Sequence, residues 1–311
     1  MEKPLVSVIM GVYNQWDRQA LNDAVSSILN QTYRNIEFII WDDGSDAEAA
    51  GALLELPEAD ERIILAGREE NKGLAFSLNE CIRLAKGKYI ARMDSDDISL
   101  PKRLEKQVDF LEKHPEYGWC GTAAELFDED GVWGVRSMPK IPVPSDFYRY
   151  SPYIHPSVMF RAEIFDSESR YLETEETLRC EDYEIFMNLT QRGLKGYNMQ
   201  DILFQYRETG GSYQRRKFRF RLNESKTRYR NYKKMGMLFP LGWLYVMRPM
   251  IAGLLPVSVI KLVKRREGEN EIRHLKGRMD GNDRKLQGSY PVLQKYHKGT
   301  SAVRYGTERV S

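Results

Sequence analysis

Short apolar runs alternate with amphipathic stretches along the first 113 residues of the chain. Apolar residues recur at helical spacing after several of the runs, most clearly at 73–85 and 101–113. Because strands and helices alternate, the pattern predicts a mostly parallel sheet with helices on both faces. The runs themselves are typical of strands buried on both faces and occupy 5–10, 36–41, 62–66 and 87–93.

The pattern changes after Pro115. Residues 117–139 predict two strands around a turn at Asp128-Glu129-Asp130-Gly131, which is a hairpin signal. Further strands are expected at 157–160 and 197–206, with a helix at 181–192. We therefore predict an α/β fold whose ligands gather where the parallel strands end, as they do in open sheets of this kind.

Charge divides the chain into three parts. The formal net charge of the whole chain is only +2, yet residues 215–266 contain 15 Lys and Arg residues and one acidic residue, Glu224. Residues 1–214 are correspondingly acidic. We predict a folded domain over 1–214, a basic and apolar segment over 215–266, and a polar, mobile tail over 267–311.

Composition excludes several classes of protein. The three cysteines form no CxxC pair, which argues against a disulfide-rich secreted fold and favours the cytoplasm. The four histidines show no i,i+4 spacing, so a histidine zinc site is not expected. The first residues read as a strand and lack the features of a signal peptide.

An acidic cluster, Asp94-x-Asp96-Asp97, follows the fourth predicted strand. Carboxylates this close repel one another unless a cation offsets their charge, and oxygen ligands without histidine suit Mg²⁺ or Mn²⁺. The alternative is that these side chains cap the next helix. With three carboxylates at one strand end, we favour the metal site.

Two other groups of residues have both a functional and a structural interpretation. Asp42 and Asp43, just before Gly44, either form an ordinary turn or include a contact to a nucleotide. Tyr13 either packs against the protein or stacks on the base of a nucleotide. Glu181 and Asp182 open an apolar helix, where acidic residues are favoured by the helix dipole but can also supply a general base.

Taken together, these motifs resemble the inverting glycosyltransferases of family 2, which have the GT-A fold, over roughly residues 4–212. A narrower resemblance, to exopolysaccharide glycosyltransferases of bacterial biofilm operons, rests on IARMD (90–94), HPS (155–157) and the basic C-terminal region. The motifs of the wider family occur in order as VSVIMGVYN (6–14), DDGS (42–45), NKGLA (71–75), ARMDSDD (91–97) and ED (181–182).

The resemblance implies roles for single residues. Tyr13 stacks near the base of a nucleotide-diphospho-sugar, Asp43 accepts the imino proton of that base, and Lys72 reaches the base or the phosphates. The DxD pair implies that Asp96 contacts the metal and that Asp94 binds the ribose or the metal. The catalytic base is Asp182, with Glu181 as the second choice.

The same resemblance implies a nucleotide-diphospho-sugar donor, expected to be a UDP-sugar, and a glycan or lipid-linked acceptor. One position departs from the family pattern. Many relatives have Arg-x-His before a Gly-Ser loop, whereas this chain has Arg207-Glu208-Thr209. Because that histidine can contact the metal, Thr209 puts the metal affinity in question.

The basic segment contains two uncharged runs, 235–247 and 249–260, each too short to span a bilayer. Flanking basic residues favour an anionic membrane surface, so we expect a peripheral protein on the inner face of the cell membrane. The alternative is a pair of helices that dock on the folded domain. Nucleic acid is not expected, because proline and apolar residues outnumber candidate phosphate contacts there.

Two other classes of enzyme with a parallel sheet need motifs that this sequence lacks. An NAD-dependent oxidoreductase needs G-x-G-x-x-G after the first strand, and the chain has Gly11-Val12-Tyr13-Asn14 instead. A nucleotidyltransferase needs a Gly-rich basic loop there, which is also absent from the sequence. A non-catalytic interaction protein with a nucleotide-sugar fold stays as the alternative, supported by Thr209 alone.

Overall fold

The structure, a computed structural model, describes residues 3–208, 218–254 and 257–280. Within these ranges, nine strands form one sheet in the order β3-β2-β1-β4-β8-β6-β9-β5, with β7 paired to β6. The strands are β1 Val6–Val12, β2 Ile36–Asp43, β3 Ile63–Arg68, β4 Tyr89–Arg92, β5 Ile98–Ser99, β6 Trp119–Asp128, β7 Gly131–Arg136, β8 Met159–Arg161 and β9 Gly196–Arg207.

Parallel pairing dominates the N-terminal half of the sheet. Strands β1, β2, β3 and β4 are all parallel, so the ends of β1, β2 and β4 lie at one edge. The second half is mixed, because β8 is antiparallel to β4 and β6 while β9 is parallel to β6. The predicted α/β fold with its flanked sheet is confirmed, and the predicted hairpin is β6–β7.

Helices cover both faces of the sheet. Alternation along β1 sends Val8 and Met10 into the core beneath α1 and α5, whereas Ile9 packs in the core beneath α4 and α6. The helices are α1 Arg18–Leu29, α2 Ala47–Leu54, α3 Leu56–Ala59, α4 Leu74–Leu84, α5 Arg103–Lys113, α6 Glu181–Gln191, α7 Phe218–Lys234, α8 Gly242–Gly253 and α9 Val257–Asp280.

The helix α7 docks on the folded domain through polar contacts. Asn231 Nδ2 donates to Glu184 Oε2 at 2.5 Å, and the hydroxyls of Tyr183 and Tyr232 are 2.8 Å apart. Arg228, almost fully buried, stacks over the Tyr183 ring at 4.6 Å. In the basic segment, α7 therefore behaves as the alternative interpretation expects: it docks on the folded domain, and part of its positive charge points inward.

The helix α9 runs through the boundary that the sequence predicts at residue 267. Its Gly268 lies directly against Gly134 of β7, and Ser137 Oγ donates to Glu271 Oε1 at 2.5 Å. Residues 267–280 thus continue a helix, and glycines on both elements let the two backbones approach closely. The rest of the predicted tail, 281–311, lies outside the described residues.

In the described ranges, no helix combines the length and the apolar character that crossing a membrane would require.

The contact between α9 and β7 yields a stability prediction. A Cβ at Gly268 would lie 2.9 Å from the Trp133 ring, whereas a Cβ at Gly51 in α2 meets nothing within 4 Å. Alanine favours a helix over glycine by ~1 kcal/mol, so Gly51→Ala should raise the free energy of unfolding. Gly268→Ala should instead lower it by ~1 kcal/mol and speed hydrogen exchange in α9, since overpacking outweighs helix propensity. If Gly268→Ala and Gly51→Ala raise the free energy of unfolding equally in urea denaturation, the close contact at Gly268 is contradicted.

Candidate active site

Hydrogen bonds tie together the loops that follow β1, β2 and β4. The Asn14 N–H donates to Ser45 Oγ at 2.9 Å, and Asn14 Oδ1 accepts from the Asp46 N–H at 2.8 Å. Asn14 has a φ of 50°, a left-handed conformation that asparagine tolerates better than most residues. Gln15 Nε2 donates to the Ser95 carbonyl at 3.2 Å, which joins the β1 loop to the acidic cluster.

Asp43, at the end of β2, is buried and organises the 71–73 loop. Its Oδ2 accepts from Asn71 Nδ2 at 2.9 Å and from the Gly73 N–H at 2.6 Å, and its Oδ1 accepts from the Lys72 N–H at 3.0 Å. Burial raises the pKa of Asp43, and these N–H donors oppose that rise. Gly73 has a φ of 93°, which only glycine adopts readily. A base contact by Asp43 stays a prediction.

Tyr13 and Lys72, the other two predicted donor contacts, are accessible to solvent. Tyr13 follows β1 and is 54% exposed, as a residue that stacks on a ligand must be. The Lys72 side chain is 49% exposed, and its Nζ lies 3.5 Å from Glu70 Oε2. An exposed pair of this length is weak, so a phosphate can compete for the ammonium group.

The carboxylates of Asp94, Asp96 and Asp97 form one cluster in which oxygens of all three lie within 4.8 Å of one another. Asp97 is fully buried, and its Oδ1 accepts from the Arg207 N–H at 2.7 Å. Burial and the neighbouring carboxylates of Asp96 and Asp94 hold the pKa of Asp97 well above its usual range. The structure brings together all three carboxylates of the cluster that the sequence singles out, and it shows that Asp97 is the buried one.

This cluster fits a divalent cation. Within the described ranges, the buried Oδ2 of Asp97 makes no hydrogen bond, although a buried carboxylate oxygen without a partner is costly. The ligand set is oxygen only, which suits Mg²⁺ or Mn²⁺. A cation here would reduce the repulsion within the cluster and give Asp97 a partner.

Arg92 is a buried residue of the site that sequence reasoning missed as a functional residue. Its Nη1 lies 2.5 Å from Asp94 Oδ2, and its side chain is only 3% exposed. Burial lowers the pKa of Arg92, but the Asp94 carboxylate outweighs this and raises it. The available signal was an arginine inside a buried strand two residues before an acidic cluster. Arg92 holds Asp94 in place and offsets its charge.

Glu181 and Asp182 lie in the first turn of α6. Glu181 is almost fully buried, and its Oε1 accepts from the N–H of Arg179, whose φ of 68° is left-handed. Burial raises the pKa of Glu181. Asp182 is only half-buried. Asp182 is more accessible to a substrate than the buried Glu181, and its role as base stays a prediction.

Tyr171 lies within electrostatic reach of both acidic groups, a link that the sequence did not reveal. Burial raises the pKa of Tyr171, the Arg92 guanidinium lowers it, and the carboxylates of Asp182, Glu181 and Asp94 raise it further. The Tyr171 hydroxyl is 2.7 Å from Nε2 of the buried His155. The predicted base and the predicted metal ligands are therefore near the same buried phenol.

Thr209, the position that departs from the family pattern, lies outside the described residues. The two residues before it are held firmly. Arg207 Nε donates to the Asp96 carbonyl at 2.8 Å, and the buried Glu208 carboxylate is 2.6 Å from Arg136 Nη2. The end of β9 thus braces the acidic cluster from the mixed half of the sheet.

Comparison with known proteins gives the family. The sequence model of Glycosyl transferase family 2 matches residues 7–168, which carry the donor-side motifs and the acidic cluster. The chain belongs to this glycosyltransferase family. It is therefore an enzyme, and the alternative of a non-catalytic interaction protein is not retained.

Several relatives of this glycosyltransferase span most of its length. It is 37% identical over 270 residues to the provisionally named glycosyltransferase EpsE of Bacillus subtilis, covering 86% of this chain and 96% of EpsE. The amylovoran biosynthesis glycosyltransferase AmsE of Erwinia amylovora is 27% identical over 83% of this chain and 97% of AmsE. WfaP of Escherichia coli, named UDP-Glc:alpha-D-GlcNAc-diphosphoundecaprenol beta-1,3-glucosyltransferase, is 30% identical over 71% of this chain and 84% of WfaP.

A solved structure shares the fold of this glycosyltransferase. It is the mannosyltransferase PcManGT of Pyrobaculum calidifontis, described in complex with GDP-Man and Mn²⁺. It aligns with a TM-score of 0.55 at 16% identity, over 95% of this chain and 85% of PcManGT. At that identity the likeness shows the fold alone, which is the GT-A fold.

The buried His155 of the glycosyltransferase predicts a pH dependence of stability. Burial and the Arg92 guanidinium hold its pKa well below the usual range, so the unfolded chain takes up the proton first as the pH falls. Between pH 8 and pH 5.5 this should remove about 1.4 kcal/mol from the free energy of unfolding.

Urea denaturation at the two pH values measures this loss. His155→Gln should reduce the pH-dependent loss by that amount, while the control change His114→Gln, at a histidine whose side chain is 44% exposed, should not. An unchanged pH dependence in His155→Gln would show that His155 is not the group responsible.

Proposed function

We propose that the protein is a metal-dependent, inverting glycosyltransferase that moves a sugar from a UDP-sugar to a lipid-linked glycan during polysaccharide synthesis. The observation that carries this proposal is the three-carboxylate cluster at the end of β4, which Gln15 joins to the β1 loop; the acidic start of α6 supplies the candidate base. The cluster suits the diphosphate side of a donor, and the helix start suits the acceptor side. The names of AmsE and WfaP support the polysaccharide role and the kind of donor and acceptor.

The donor would lie across the ends of β1, β2 and β4. The exposed Tyr13 ring would stack on the base, and Asp43 would position the 71–73 loop beside it or accept the base N–H. Lys72 would pair with a phosphate in place of Glu70. Asp94, held by Arg92, would contact the ribose or the metal.

The metal would be held by Asp96 and Asp94, with Asp97 beside them. A bound Mg²⁺ or Mn²⁺ supplies neutralisation of the charge that develops on the diphosphate as it leaves. The chain's own part is to fix the carboxylates. Arg92 fixes Asp94, and Arg207 fixes Asp96 and Asp97 through its side chain and its backbone N–H.

Asp182 would act as the general base. The acceptor oxygen forms a bond to the anomeric carbon as the bond from that carbon to the diphosphate oxygen breaks, and the acceptor's hydroxyl proton passes to an Asp182 carboxylate oxygen. Attack opposite the leaving group inverts the anomeric centre. Glu181, bound to the Arg179 N–H, would hold the helix start in place rather than take the proton.

Loss of one carboxylate of the cluster should remove the dependence of nucleotide binding on the metal. Asp96→Asn should abolish the thermal stabilisation that UDP gives only in the presence of Mn²⁺, because one anionic ligand is lost. Asp109→Asn, an exposed aspartate on α5, is the matched control and should keep that stabilisation. Unchanged Mn²⁺-dependent stabilisation in Asp96→Asn would refute the assignment.

The two acidic residues at the start of α6 should differ in what their loss does. Asp182→Asn should keep UDP affinity and reduce the transfer rate by ~10²-fold or more, as expected when a general base is lost. Glu181→Gln should mainly lower the melting temperature, because its carboxylate accepts a backbone hydrogen bond. Transfer kinetics and thermal unfolding of both variants measure this. The reverse pattern would assign the base to Glu181.

The exposed surface of α8 supports a peripheral position of the protein on the cytoplasmic face of the cell membrane. The outer side of α8 presents large apolar side chains at helical spacing, which we call the apolar face of α8. Exposed basic residues lie before it (Lys233), within it (Arg248) and after it (Arg265) in sequence, and would attract anionic lipid. The apolar face of α8 comprises Leu244, Met247, Ile251 and Leu254.

Flotation with liposomes tests this location. The full chain should float with vesicles containing anionic lipid, less so in high salt, because screening removes the charged part of the attraction. The double change Leu244→Glu and Ile251→Glu should abolish flotation, whereas Leu54→Glu, at an equally exposed leucine on α2, should not. Flotation that is equal in all variants, or independent of anionic lipid, would contradict the proposal.

A further inference from the structure

The described part of the chain contains a pocket of about 410 Å³ between α7, α8 and Glu176, which the donor site does not use. Tyr229 and Trp243 stack across the two helices with ring centroids 5.3 Å apart. A volume of this size is in the range of small-molecule sites. Five side chains form its apolar wall: Leu222, Tyr229, Trp243, Val246 and Met250.

The other side of the pocket is polar and carries two cations. Lys226 Nζ lies 3.7 Å from Glu176 Oε1, and Arg230 Nη1 lies 3.4 Å from Glu176 Oε2. Both separations are long, and the Glu176 side chain is 47% exposed, so these ion pairs are weak. An anionic ligand with better geometry can therefore take the place of Glu176 beside the two cations.

A buried donor at the pocket points to a ligand oxygen. Ser225 is 7% exposed, and its hydroxyl makes no hydrogen bond to any described residue. Arg230 lies between two acidic side chains, with Nη2 3.1 Å from Glu184 Oε2 and Nη1 3.4 Å from Glu176 Oε2. Buried donors are nearly always satisfied in folded proteins, so Ser225 lacks an acceptor that a bound molecule would supply.

The position of the pocket relates it to the acceptor side of the reaction. Val246 and Met250 line the pocket, while the apolar face of α8 lies on the outer side of the same helix. At the other end, Arg230 contacts Glu184 in the first turn of α6, the turn that carries Asp182. A chain entering from a bilayer could reach the pocket along apolar surface and stop near the base.

We propose that this pocket binds the phosphate end of an isoprenoid phosphate, the lipid part of the acceptor. This inference rests on the proposed function, because it assumes a lipid-linked acceptor. The first isoprene units lie against the apolar wall, and the phosphate oxygens accept from Lys226, Arg230 and Ser225. Neither an apolar chain alone nor a free phosphate uses both sides of the pocket.

Calorimetric titration of the full-length protein with farnesyl phosphate, farnesol and inorganic phosphate tests this. We expect one farnesyl phosphate per chain, with the other two probes at least ~10-fold weaker, since each occupies one side of the pocket only. Farnesol binding as tightly as farnesyl phosphate would overturn the anion contact. Inorganic phosphate binding as tightly would overturn the apolar one, and no binding of farnesyl phosphate would overturn both.

Matched variants locate the binding. Met250→Trp, which fills the pocket, and Lys226→Gln should each weaken farnesyl phosphate by ~10-fold. Leu244→Trp, on the outer side of α8, and Lys233→Gln, on α7 outside the pocket, should leave it unchanged. Equal effects of the pocket variants and their controls would mean that the lipid binds the helix surface only, which overturns the proposal.

The same samples separate this inference from the proposed function. Stabilisation by UDP and Mn²⁺ should persist in all four variants, because none of the changed residues is in the donor site. If that stabilisation is present but farnesyl phosphate does not bind, the pocket assignment alone fails. If UDP and Mn²⁺ have no effect on the unchanged protein, the proposed function fails, whatever the pocket binds.

Discussion

The mutual repulsion of three carboxylates at the end of β4 is the constraint around which the site is arranged. Oxygens of Asp94, Asp96 and Asp97 lie within 4.8 Å of one another, and one of these residues is fully buried. Like charges at this distance in a partly desolvated position are costly. Arg92 and Arg207 reduce that cost from two directions, so the parallel and mixed halves of the sheet meet at the cluster.

The supports of the cluster also explain the shape of the rest of the site. Arg103 Nη2 donates to the Arg92 carbonyl at 2.7 Å, so a second buried guanidinium fixes the strand end from which the cluster begins. The Tyr171 hydroxyl is 2.7 Å from His155 Nε2, and the His155 ring packs against Phe186 of α6 with ring centroids 5.9 Å apart. Packed side chains thus connect this part of the core with the helix that carries the predicted base.

Periodicity in the sequence was enough to predict the central strands, because a strand buried on both faces can contain little except apolar residues. The acidic motifs were visible for a similar reason, since charged residues directly after such strands stand out. The links between them were not visible. Gln15 donates to the carbonyl of Ser95, and the Arg207 N–H donates to Asp97, across separations of 80 and 110 residues. Local spacing carries no information about contacts of that kind.

The C-terminal region shows how charge alone misleads. Its basic residues predict a solvated or membrane-bound surface, but helical geometry divides them between two environments. Arg228 points into the core, where Glu224 and the Tyr183 ring stabilise it, while Lys233, five residues later, is exposed. On α8 the distribution is reversed, because large apolar residues such as Leu244 and Leu254 are exposed. A helix pair that buries an arginine and exposes leucines has its structural contacts on one side and presents an apolar surface on the other, as interaction surfaces do.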